Sequence, residues 1–147
     1  MRELKFRQPI FGGNDLSFQS WHYWGFVDDD KFYGVVAPLD IAKETSQQYT
    51  GLKDKNGKEI YEGDMLSVDG RNSGLPVVVI YEDGAFMGAY TDSTFKYLLN
   101  SGELHLQKTE VIGNVYENPE LLTPENNKGV KNDSNRGKIK ESSARRL

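Results

Sequence analysis

Three stretches of this sequence predict a mostly β protein built of short antiparallel strands and hairpins. Residues 48–66 place Asn56-Gly57 between two β-prone segments, a strong local hairpin signal. Residues 77–81 are a run of Val, Ile and Tyr followed by Asp83-Gly84, a second hairpin pattern. From Leu16 to Phe26 aromatic side chains recur densely, largely at strand spacing.

Taken in order, Leu4 and Phe6 alternate with Lys5 and Arg7, so a first strand runs up to Pro9, which cannot donate to a central ladder. Gly12-Gly13-Asn14-Asp15 is a turn. Residues 18–26 form the next strand, with an irregularity at Tyr23-Trp24 that reads as a bulge turning one ring to a new face. Asp28-Asp29-Asp30 makes the following turn, residues 32–38 a strand, and residues 41–46 a short helical turn.

The stretch from residue 48 is the most informative. Asp54 suits the first position of a type I turn and Gly57 the fourth, where a positive φ is often required. Tyr49, Leu52, Ile60 and Tyr61 supply the aromatic and branched flanks. Glu62-Gly63-Asp64 then reads as a sharp corner, with Gly63 adopting a backbone conformation closed to other residues. Beyond it Leu66 and Val68 alternate with Ser67 and Asp69, a strand with one buried face.

Residues 69–74 form a polar loop, and the apolar run at 77–81 suggests burial on both faces. Asp83-Gly84 has type I′ turn chemistry and returns the chain through Phe86 and Met87 to Tyr90. For residues 91–99 two readings compete: a helix capped by Thr91-Asp92-Ser93, or a strand with Phe95 and Tyr97 on one side. Strand or irregular structure is preferred, because so short a helix is marginal without tertiary support. Leu104 and Leu106 around His105 give a late strand, residues 111–116 the last, and residues 119–122 a closing turn. The run from Gly63 to Tyr90 is compatible with a small SH3-like barrel, with the N-terminal strands forming a second sheet.

The 147 residues divide into a β domain, residues 1–122, whose core is 48–122 with 1–47 appended, and a polar tail, residues 123–147. The domain carries 11 Lys/Arg against 19 Asp/Glu, or −8; the tail carries 7 against 3, or +4. In the tail, apolar residues are too sparse to offset the entropy of ordering, so it is expected to be disordered in isolation. An acidic body with a basic tail marks an interaction segment. There is no apolar run long enough to cross a bilayer and no signal-peptide core. The absence of cysteine removes disulfides and thiolate chemistry and accords with a cytoplasmic setting.

Residues 48–64, Gln-Tyr-Thr-Gly-Leu-Lys-Asp-Lys-Asn-Gly-Lys-Glu-Ile-Tyr-Glu-Gly-Asp, resemble the central signature of the YopX protein family. Residues 1–7 resemble that family's opening strand and residues 110–122 its closing segment. The resemblance implies a small protein of phages and prophages, a family with no established activity, and so a host-cell cytoplasmic setting.

No residue set for chemistry stands out. Counted from Asp54, a calcium loop would need Gly at position 6 and Glu at position 12; Gly57 falls at position 4 and Met65 at position 12. Asp28-Asp29-Asp30 reads as a turn of solvated acids. His22 and His105, with no Cys and no Gly-x-Ser-x-Gly, are structural histidines rather than bases. Glu62 and Asp64 read as turn residues capping backbone N–H groups. No catalytic, metal-binding or cofactor-binding residue is therefore predicted, and the chain is expected not to be an enzyme.

The expected structural turns are Asp54, Asn56, Gly57, Gly63, Asp83 and Gly84. The candidate interaction residues are Trp21, Tyr23 and Trp24 with Lys138, Lys140, Arg145 and Arg146 of the tail. The expectation is a homo-oligomeric interaction protein or host-modulating adaptor with no membrane partner. The alternative is a small-barrel nucleic-acid binder in which the aromatics stack bases and the tail neutralises phosphates. The acidic body argues against the alternative.

Overall fold

The computed structural model describes residues 4–28, 31–35, 46–69, 74–99 and 108–123. Within them the chain forms two five-stranded antiparallel sheets. The first contains β1 (Lys5–Gly12), β2 (Ser17–Asp28), β3 (Lys31–Tyr33), β4 (Gln47–Lys53) and β5 (Glu59–Tyr61), in the order β3-β2-β1-β4-β5. The second contains β6 (Asp64–Val68), β7 (Val77–Glu82), β8 (Ala85–Tyr90), β9 (Lys96–Leu98) and β10 (Thr109–Asn114), in the order β10-β6-β7-β8-β9. Both are open. Barrel closure would require β9 to pair with β10, and no such pairing occurs among the described residues.

In the first sheet β1 continues through Pro9 to Gly12 and lies centrally, between β2 and β4. The register explains how proline is accommodated. Phe26 N donates to Leu4 O at 3.0 Å, so even-numbered positions of β1 exchange bonds with β2 and odd-numbered ones face away. Pro9 is odd, and among the described residues pairing with β4 runs no further than Arg7, so its missing N–H costs no ladder bond there. The bulge expected at Tyr23-Trp24 is elsewhere. Tyr23 and Trp24 pair regularly with Arg7 and Phe6, and the register shifts instead at Ile10/Phe11, opposite Ser20 and Phe18, and at Phe26/Asp28 against β3. Gly25, not a displaced ring, takes the unusual backbone there, at φ 90°.

The expected strand over residues 32–38 is the shorter β3, and its further part lies outside the described residues. So do Asp29 and Asp30, residues 41–45 of the expected helical turn, residues 70–73 of the polar loop, the expected strand around His105, and the tail beyond Thr123.

The second sheet holds the main core: Leu66, Val77, Val79, Tyr97, Leu99 and Val111, joined by Ile60 from β5. Fully burying side chains of this size stabilises by about 1.5–3 kcal/mol each. Burial along β7 departs from the expectation of two covered faces. Val77 and Val79 are buried, Val78 and Ile80 half-buried, and Tyr81 exposed. An antiparallel sheet packs one face and leaves the other closer to solvent. On β6 the departure is opposite, since Asp64, Met65 and Leu66 are all buried where the strand meets the first sheet. Asp83 and Gly84 take φ 51° and 78°, and Glu82 pairs with Ala85, as a two-residue primed turn demands. Residues 96–98 are strand, with Tyr97 buried opposite Gly88.

The hairpin β4-β5 follows the sequence reading. Gly57 N donates to Asp54 O at 3.0 Å and Gly57 has φ 80°. Apart from its chain neighbours, no atom lies within 4 Å of where a Gly57 Cβ would sit, so any penalty for a side chain there is conformational rather than a clash with distant parts of the fold. Gly57→Val is expected to lower stability by roughly 1–2 kcal/mol, read as a drop in the denaturant midpoint. An unchanged midpoint would refute the strained-turn assignment.

Candidate functional site

The most elaborate arrangement of polar groups joins the two sheets, and the stretch from residue 47 to 64 builds it. Gly63, between β5 and β6, has φ 80°. Its N donates to Val79 O at 2.7 Å and its O accepts from Val115 N at 3.0 Å, so one residue ties the corner to β7 and to the end of β10. A Cβ on Gly63 would collide with Gln47 Nε2, which makes glycine obligatory on both steric and dihedral grounds.

Beside this corner lies a buried polar cluster. Arg7 of β1 pairs through Nη2 with Oδ1 of Asp64, the first residue of β6. Arg7 Nε donates to Gln47 Oε1 at 3.2 Å. Asn114 Nδ2 donates to Gln47 Oε1 at 2.9 Å and to Asp64 Oδ1 at 3.0 Å, while Gln47 Nε2 donates back to Asn114 Oδ1 at 3.2 Å. Asp64 Oδ2 accepts from Tyr61 N at 2.8 Å. The Arg7 guanidinium lies between the rings of Trp21 and Tyr61, 4.1 and 4.2 Å from their centroids. Burial pushes the Asp64 carboxyl above its usual range, against the pull of Arg7, Asn114 and the Tyr61 N–H. Burial also raises the neighbouring Tyr61 phenol far above its usual value, helped by its bond to Glu59. A phenol held protonated in this way is a poor nucleophile or base at neutral pH.

The hairpin turn makes the second tie. Asp54 Oδ1 accepts from Asn56 N at 2.8 Å and Lys58 N at 2.9 Å, and Oδ2 accepts from Val111 N at 3.0 Å. Lys55 N donates to Thr109 O at 2.9 Å. The turn thereby covers the outer edge of β10. Burial pushes the Asp54 carboxyl up, but the N–H groups of Val111, Lys58 and Asn56 outweigh it and hold the group below its usual value.

These residues are polar, buried and satisfied by one another. A ligand would have to break the network to use them. Among the described residues no group of three or more His, Cys, Asp or Glu is placed to hold a metal ion. Burial pushes the Glu62 carboxyl, beside the corner, above its usual value, partly offset by a hydrogen bond from the Gln48 backbone. The Glu62 backbone N donates to Gln48 O at 2.9 Å.

The structure separates the three candidate aromatics. Trp21 lies on Arg7, and its Nε1 reaches Glu117 Oε2 at 3.4 Å. Trp24 stacks on Phe6, centroids 4.3 Å apart and planes 13° apart, with Nε1 bonded to Ser46 Oγ at 2.9 Å. Tyr23 is the most open, and touches Tyr61 edge-on. Lys138, Lys140, Arg145 and Arg146 lie outside the described residues.

A row of exposed apolar side chains also crosses the first sheet. Leu4, Phe26 and Phe32 are successive neighbours across the first sheet and share one face, with Phe26 and Phe32 edge to face at 5.7 Å. They are 51%, 47% and 64% exposed, and the row ends on β3, the edge strand among the described residues, whose three residues are all exposed. Density of aromatics in the sequence marked the region, but only the register shows which rings remain outside.

The family model described as YopX protein matches residues 23–123. This chain belongs to the YopX protein family. The match contains the signature at 48–64 and the closing segment at 110–122, and leaves out the opening strand at 1–7. The YopX signature thus corresponds here to the Gly63 corner, Asp64 and the Asp54 turn, all engaged in holding the sheets together. The crystal structure of protein EF1440 from Enterococcus faecalis is similar at 28% identity, covering 84% of this chain and 100% of that one, with a TM-score of 0.49. Among curated proteins none matches. Among the described residues no helix is long and apolar enough to cross a membrane.

Arg7, Gln47 and Asn114 were not singled out in the sequence. The available signal was indirect: Asp64 opens an apolar strand, and a carboxylate there needs a cation or several donors.

Proposed function

We propose that this YopX protein works through protein contacts rather than catalysis, as a homo-oligomer that engages host proteins in the cytoplasm of a phage-bearing bacterium. The observation that carries the reading is the exposed row Leu4, Phe26 and Phe32 ending on β3, beyond which no further strand pairs among the described residues. An open edge offers backbone donors and acceptors to an added strand, and the aromatic row offers apolar surface beside it. Polar groups in the signature are meanwhile occupied within the fold, which leaves recognition to this face. Of the aromatics offered for base stacking, Trp21 and Trp24 are engaged with Arg7 and Phe6, whereas Tyr23 and Phe26 stay exposed.

Light scattering on the full-length protein tests this reading. A mass of two or more protomers is expected, unchanged by a short single-stranded oligonucleotide at low or high salt. The Phe26→Ser/Phe32→Ser double variant is expected to shift that mass toward the monomer while its fold, followed by circular dichroism, is kept. A monomer that gains mass with oligonucleotide at low salt and loses it at high salt would favour nucleic-acid binding instead.

A further inference from the structure

We propose that Asn56 is a site of spontaneous deamidation, and that its conversion to isoaspartate releases the β4-β5 turn from β10. Asn56-Gly57 is the only Asn-Gly pair in the chain. The reaction requires the backbone nitrogen of the following residue to attack the side-chain carbonyl, and glycine imposes the least steric resistance. Both residues are exposed, and apart from the chain neighbours Asn56 and Lys58 no atom lies within 4 Å of where a Gly57 Cβ would sit. The Asn56 amide reaches Glu110 Oε1 only at 3.5 Å, a weak restraint on its rotation.

In the step itself Gly57 N forms a bond to Asn56 Cγ and gives up its proton. The Cγ–Nδ2 bond breaks and ammonia leaves, closing a five-membered succinimide. Water then opens the ring at either carbonyl, yielding aspartate or isoaspartate. No electron transfer is involved. The folded turn slows the attack, because Gly57 N–H is donated to Asp54 O at 3.0 Å and must first be freed.

The position of the turn gives the modification a wider effect. Isoaspartate routes the main chain through one additional carbon between residues 56 and 57. Gly57 N then loses its register with Asp54 O, and Lys58 N with Asp54 Oδ1. The same Asp54 holds Val111 N through Oδ2, and the adjacent Lys55 N holds Thr109 O, so a distorted turn loosens the cover on β10. A new carboxylate also appears beside Glu110.

The test is to age the full-length protein in mildly alkaline buffer at physiological temperature, beside a urea-unfolded sample and the Asn56→Gln variant. The peptide carrying residue 56 should gain about 1 Da and become a substrate for isoaspartyl methyltransferase. Conversion should be several-fold faster in urea. The aged parent, but not aged Asn56→Gln, should melt several degrees below fresh protein. Three results would overturn the proposal: residue 56 intact in folded protein after the unfolded chain has largely converted, conversion with an unchanged melt, or an equal drop in Asn56→Gln.

Discussion

Asp54→Ala is expected to lower stability by about 3–5 kcal/mol, from the loss of three hydrogen bonds to one ionised acceptor at about 1.5–3 kcal/mol each, less what water restores. Asn56 N and Lys58 N lie in an exposed turn and can rehydrate, whereas Val111 N is buried and cannot. Asp54→Asn separates geometry from charge. It keeps one acceptor oxygen but points an amide NH2 at a backbone donor, so an intermediate loss is expected.

The dependence on pH follows from the direction of the shift. Asp54 is held below its ordinary 3.8, so the folded state favours its ionised form. Its contribution is fully present above the unfolded pKa and is lost as pH falls through the folded one. The gap between parent and Asp54→Ala in urea titrations should therefore be widest near neutrality and close in acid. A gap constant with pH would mean that the carboxylate does not cap these groups.

Arg7→Met is expected to cost about 3–5 kcal/mol, because it leaves the Asp64 carboxylate buried without its cation. Methionine fills much of the slot between Trp21 and Tyr61, so the loss reports charge more than volume. Adding Asp64→Asn should recover part of it, a departure from additivity that marks direct coupling. Here too the gap with the parent should narrow in acid, for a different reason. Protonating Asp64 removes the stranded charge, so the variant strengthens as pH falls, whereas in the Asp54 case the parent weakens. Simple additivity of Arg7→Met and Asp64→Asn would contradict the coupling.

What could be read from the sequence was local. Asp54, Gly57 and the Asp83-Gly84 turn were legible because turn type is determined by a few adjacent residues, and their φ values follow from that chemistry. The Gly63 corner was legible for the same reason. Arg7, Gln47 and Asn114 were not, since Arg7 and Asp64 lie 57 residues apart, and Gln47 and Asn114 67 apart. No periodicity encodes such pairings. The Tyr23-Trp24 irregularity misled because crowding of rings resembles a bulge, while the actual shifts fall at Ile10/Phe11 and Phe26/Asp28, positions decided by the neighbouring strands. Side-chain availability was the least legible property. Trp21 and Trp24 are candidate interaction residues by sequence, yet they lie against Arg7 and Phe6.

The buried cluster also constrains how the chain can be synthesised. Its members enter from the ribosome in the order Arg7, Gln47, Asp64, Asn114, and Asn114 bonds to both Gln47 and Asp64. Most of the chain must therefore have emerged before the cluster can be completed, and until then the arginine and aspartate stay hydrated or imperfectly paired. Pairings at such separations are slow to form. A nascent chain halted short of Asn114 would hold local hairpins without the clamp between them, a state exposed to proteases and to strand exchange with other nascent copies.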